Sequence, residues 1–162
     1  APSQQHRTAA GGDRTQDRAE VLSTAAGLAL LSLITQIEAA GHTRVLMLDD
    51  CPDGLKGFYT PTHNRIGLCR QGHSSDGELI STLLHETTHR LQHCRRPELT
   101  AQLDMQHSVS SLETEARAIE RWGGHDPATA SNWIIRELQQ HCGHNIRMFQ
   151  QKKQTQLNSS MS

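Results

Sequence analysis

The chain of 162 residues carries 16 Lys and Arg against 17 Asp and Glu, a formal net charge of −1, and only 3% of it is aromatic. That length suits one domain with a sizeable core. No basic block interleaves with aromatic side chains, which excludes a nucleic-acid partner at the level of composition.

Residues 1–17 are rich in Gln, Arg, Asp and Gly and predict a flexible N-terminal arm. A single folded unit is expected over 18–149, and a loose C-terminal tail over 150–162. The most hydrophobic run extends from Val21 to Ile37 and follows Arg14 and Arg18, as the core of a signal peptide or a membrane span would. Ser23, Thr24, Ser32 and Thr35 interrupt it, while Leu30, Leu33, Ile34 and Ile37 keep a helical repeat. A buried scaffold helix is therefore favoured, with no stable membrane span. Thr43 to Leu48 reads as a short strand. Gly57–Thr60 and Arg65–Leu68 flank Pro61-Thr62-His63-Asn64, a hairpin signal.

A longer helix follows, capped by Ser75 or Asp76, with Ile80, Leu83, Leu84, Thr87, Leu91 and Cys94 recurring as one apolar stripe. At 100° per residue, His85 and His89 project from the opposite side, and together with Glu86 they spell His-Glu-x-x-His. Residues four apart on a helix are neighbours, so both imidazoles can reach one metal ion. Glu86 is placed to take a proton from a water activated there. His93 is not a third ligand: it lies eight residues after His85, about 12 Å along the axis. A ligand from a separate helix is needed. Arg90, Arg95 and Arg96 cluster at the end of this helix, where cations suit its dipole.

Ser110 to Glu120 forms an acidic, alanine-rich helix that carries Glu113-Thr114-Glu115-Ala116. Glu113 and Glu115 are alternative third ligands. Glu115 lies within the apolar arc of Leu112, Ala116, Ile119 and Trp122, where a carboxylate is costly unless paired or metal-bound; Glu113 lies at the edge of that arc. A last helix starts at Asp126-Pro127 and carries Trp133, Ile134, Ile135 and Leu138 to about His141.

His-Glu-x-x-His followed by Glu-x-x-Ala on a later helix resembles the gluzincin arrangement of zinc metallopeptidases, over roughly residues 78–122. In the version shared by CAAX-prenyl endopeptidases and radiation-response regulator peptidases, the second motif reads Glu-x-x-Ala-Asp/Asn-x-Phe-Ala. That register puts Glu113 on the ligand position, Ala116 on the small residue and Ile119 on the apolar position. Arg117 stands where the family has the Asp or Asn that braces a histidine ligand, and Glu120 stands in place of a small residue. The resemblance implies a minimal zincin-like α+β domain, mostly helical, with a small antiparallel or mixed sheet. It implies Zn2+ as cofactor, His85, His89 and Glu113 as ligands, Glu86 as general base, and a peptide or protein as substrate. The alternative is a catalytically degenerate zincin that binds zinc and acts in recognition or regulation. An edge strand beside the motif helix would receive the peptide, with Arg65–Leu68 the candidate. Tyr59, His63, His141 and His144 are available oxyanion donors.

Four cysteines permit three pairings. Cys51–Cys69 and Cys94–Cys142 are geometrically reasonable. Those disulfides would imply an oxidising compartment and favour a secreted or periplasmic location over a cytoplasmic one; the alternative is reduced, buried thiols.

Overall fold

The computed structural model describes residues 25–100 and 110–160. The expected N-terminal arm lies outside the described residues. The architecture is α+β and mostly helical: α1 (Ala25–Gly41), β1 (Arg44–Leu48), β2 (Gly57–Thr60), β3 (Arg65–Cys69), α2 (Asp76–Arg95), the single turn α3 (Pro97–Thr100), α4 (Ser110–His125) and α5 (Pro127–Ser160).

The stripe on α1 is buried as the hydrophobic repeat requires, with Leu30, Leu33, Ile34 and Ile37 in the core. Among the described residues no helix is long and apolar enough to cross a membrane. Ser75 caps α2 by accepting from the Glu78 backbone N–H at 3.2 Å, and the Glu78 carboxylate accepts from the Ser74 N–H and hydroxyl at 2.9 and 2.8 Å. These bonds hold the Glu78 carboxyl below its ordinary value. Every member of the predicted α2 stripe is buried, and the other helices and the sheet pack around this central helix.

The hairpin forms, with Asn64 in the left-handed region at φ 51° closing the turn. β1 then pairs parallel with β3, so the sheet is mixed with order β1-β3-β2. This overturns the expectation that Arg65–Leu68 is the edge. It is the central strand, and Ile66 and Leu68 are fully buried beneath the helices. On the other face the Phe58 ring covers Gly67, where a Cβ would come within 2.4 Å of it. The edge strand beside α2 is β2.

Gly57 sets how closely β2 approaches that helix. A Cβ there would lie 2.9 Å from the Gly67 carbonyl oxygen, 2.9 Å from Thr82 Cγ2 and 3.3 Å from Glu86 Cγ. Gly57→Val is expected to lower stability by about 1–3 kcal/mol through overpacking. Urea unfolding checks it, and an unchanged midpoint would disprove so tight a contact.

α4 crosses α2 in an antiparallel sense: Leu112 meets Gln92, Glu113 meets His89, and Glu120 meets His85. Gly123 then meets Leu84, where a Cβ would be 2.3 Å from Leu84 Cδ1. Asp126 caps α5 by accepting from the Thr129 N–H at 3.3 Å, and Pro127 opens the helix. Ala130, Ile134, Leu138 and Cys142 face the core. The helix does not stop near His141. It runs through the segment expected to be a loose tail, because Gly143 is the sole glycine and no proline interrupts it before Ser160. Two disulfides, Cys51–Cys69 and Cys94–Cys142, complete the scaffold.

Candidate metal centre

His85 and His89 lie one turn apart on α2, and Glu113 comes from the first turn of α4. One ligand atom from each lies within 4.8 Å of the others, a group able to hold a metal ion. Glu113 Oε1 is 2.9 Å from His89 Nε2, and Glu113 Oε2 is 3.4 Å from His85 Nε2. A tetrahedral zinc with bonds near 2.1 Å keeps neighbouring ligand atoms about 3.4 Å apart. The spacing therefore suits such an ion after small side-chain shifts.

The hydrogen-bond network also holds the outer nitrogen of each ring. The Gln92 amide nitrogen donates to the Leu112 carbonyl at 2.9 Å and to Glu115 Oε1 at 3.1 Å. Gln92 Oε1 is thereby left as an acceptor, and His89 Nδ1–H donates to it at 2.8 Å. Glu120 Oε2 lies 3.3 Å from His85 Nδ1, and an ionised carboxylate can only accept. Both Nε2 atoms face the Glu113 carboxylate, which can only accept, so either a ring proton or a metal ion stands between them. Two ring nitrogens and a carboxylate converging on one point are what a divalent cation completes.

Glu86 points into the same space, with Oε1 4.0 Å from His85 Nε2, and the residue is 8% exposed. Burial pushes its carboxyl up to about 8, and the nearby Glu113 and Glu120 carboxylates add to the effect. A divalent cation beside it would favour the ionised form instead.

Glu115, the rival ligand, does not join the cluster. Its carboxylate accepts from Gln92 and lies 3.6 Å from Arg95, and its side chain is 43% exposed, so the apolar arc does not bury it and its partners are an amide and a guanidinium. Arg117 lies 3.8 Å from Glu113 Oε2 with its side chain 68% exposed. His93 sits 2.7 Å from the Tyr59 hydroxyl, away from the metal ligands, as the axial-rise argument required. Arg90 donates to that hydroxyl at 3.3 Å and to the Gly41 carbonyl at 2.8 Å, capping the end of α1. Of the proposed oxyanion donors, Tyr59 is engaged with His93 and Arg90, His141 pairs with Glu137 at 3.3 Å, and His63 is exposed in the hairpin turn. The His144 side chain lies outside the described residues.

A groove of about 410 Å³ lies between the start of α2 and the end of α4, with Lys56, Thr82, Gly123 and the His85 partner Glu120 in its walls. Two members of the site, Gln92 and Glu120, were not singled out from the sequence as working parts. Their signals were present: Gln92 is one turn past His89, and Glu120 is two turns past Glu113 on the same helical face. Comparison with family models, with curated proteins and with solved structures returned no match to this chain.

Proposed function

We propose that this chain is a zinc-dependent endopeptidase that hydrolyses peptide bonds with Glu86 as general base. The observation that carries the reading is the convergence of His85 Nε2, His89 Nε2 and the Glu113 carboxylate with Glu86 at their side. When bound, zinc would supply Lewis acidity toward water and the peptide carbonyl. Glu86 takes the proton from the attacking water and delivers it to the leaving amine. Gln92 keeps the His89 ring aimed, and Glu115 holds the Gln92 amide.

The substrate lies along β2, the edge strand next to the centre. Lys56 and Cys69 form a directly opposed pair, with the Cys69 N–H donating to the Lys56 carbonyl at 2.9 Å. The antiparallel alternation therefore turns the Gly57 N–H and C=O away from β3, toward an incoming peptide. The adjoining groove is of ligand-binding size. The two disulfides suit work in an oxidising compartment, secreted or periplasmic.

Elemental analysis of dialysed protein together with a peptide-library cleavage assay tests the reading. One equivalent of zinc and cleavage abolished by a chelator are expected. Zinc without cleavage would leave a degenerate zincin with a recognition role, and no stoichiometric metal would remove both readings.

A further inference from the structure

A histidine ligand has two ring nitrogens, and whichever one loses its proton is the one that binds metal. His85 has a carboxylate on each side, Glu113 Oε2 at 3.4 Å from Nε2 and Glu120 Oε2 at 3.3 Å from Nδ1. A metal ion held beside Glu113 would take Nε2 and leave the Nδ1 proton for Glu120. The residue one turn after Glu113 is Arg117, a cation that cannot accept an imidazole proton. It lies instead against Glu113 Oε2. The next residue of α4 on that side is Glu120. The antiparallel crossing carries it past Glu113 to the level of His85, with Oε2 3.3 Å from Nδ1.

We propose that Glu120 is a positioning residue of the metal centre: by accepting from His85 Nδ1–H it holds the ring so that Nε2 is presented to the ligand point. The proposal rests on the zinc-centre reading given above. Glu120 is not one of the three converging groups and reaches the ligand point through His85. The two braces are independent, since His89 is held by Gln92 from its own helix. Loss of Glu120 therefore releases one ring and leaves the other oriented. Conservation of the acceptor matters more than its charge, so Glu120→Gln retains part of the effect through its amide oxygen.

Two measurements decide it. Chelator competition gives the zinc Kd of wild type, Glu120→Ala and Glu120→Gln. Glu120→Ala is expected to weaken binding 10–100-fold, as loss of a group bonded to a metal ligand does. Glu120→Gln should fall between it and wild type. A Glu120→Ala Kd within about threefold of wild type overturns the assignment. The second measurement is a long-range proton–nitrogen correlation spectrum of the zinc-loaded wild type, which reads the nitrogen of each ring that carries the proton and the one that holds the metal. His85 is expected with its proton on Nδ1; a proton on Nε2 overturns the proposal even if the alanine variant fails to fold. A wild-type protein that takes up no zinc sinks the peptidase reading, whereas zinc uptake with His85 metallated at Nδ1, or with a Glu120→Ala Kd near wild type, sinks the Glu120 assignment alone.

Discussion

Glu86→Gln is expected to lower kcat for peptide hydrolysis by at least about 100-fold while leaving one equivalent of zinc bound, the loss typical of removing a general base. The amide has the shape of the carboxylate but cannot take a proton from water. Glu86 is not among the three converging ligand atoms, so the substitution leaves those intact. It also removes an acid from a buried site where two other carboxylates oppose its ionisation. Thermal stability of the metal-free protein should therefore hold or rise. Zinc content, kcat and Tm measured on one preparation separate these effects. Undiminished kcat would eliminate Glu86 as the base, and loss of zinc would show that it binds the metal.

Glu113→Ala should strip the centre, whereas Glu115→Ala should not. The first change takes away the oxygen ligand and leaves two imidazoles facing an empty side. Zinc affinity is expected to fall by more than about 100-fold, beyond the range seen when an outer partner is removed. Glu115 touches the centre only through Gln92, which keeps its bond to the Leu112 carbonyl when Glu115 is lost. A modest weakening is the expected result. Elemental analysis after dialysis distinguishes the two, and the opposite ranking would transfer the ligand role to Glu115.

The apolar repeats of α1 and α2, the turn at Asn64 and the cap at Ser75 were legible because each is set by neighbours along the chain. The position of β3 was not. Its second partner is β1, some twenty residues earlier in sequence, and a hairpin does not specify which of its two strands an outside strand joins. Burial argued for Glu115 as ligand because a carboxylate in an apolar arc needs a partner. The partners turned out to be Gln92 and Arg95, side chains of another helix that no local spacing reveals. Glu120 was visible as a departure from a motif and by its spacing from Glu113, but not as a partner of His85. Its contact with His85 depends on the antiparallel crossing of α4 over α2, and so on tertiary packing. α5 outran its expected end because a polar surface does not stop a helix whose residues favour one.

The Cys94–Cys142 bridge closes a span of 48 residues that contains the whole of α4. In the chain-entropy model a link of that length stabilises the fold by about 4 kcal/mol. It also has a consequence for a chain that is cut. A backbone cut anywhere between those cysteines leaves the helix bearing His85 and His89 covalently joined to the last helix, so a nick in that span does not by itself release two polypeptides. Such cleaved molecules would migrate as one species on a non-reducing gel and as two fragments once thiol is added.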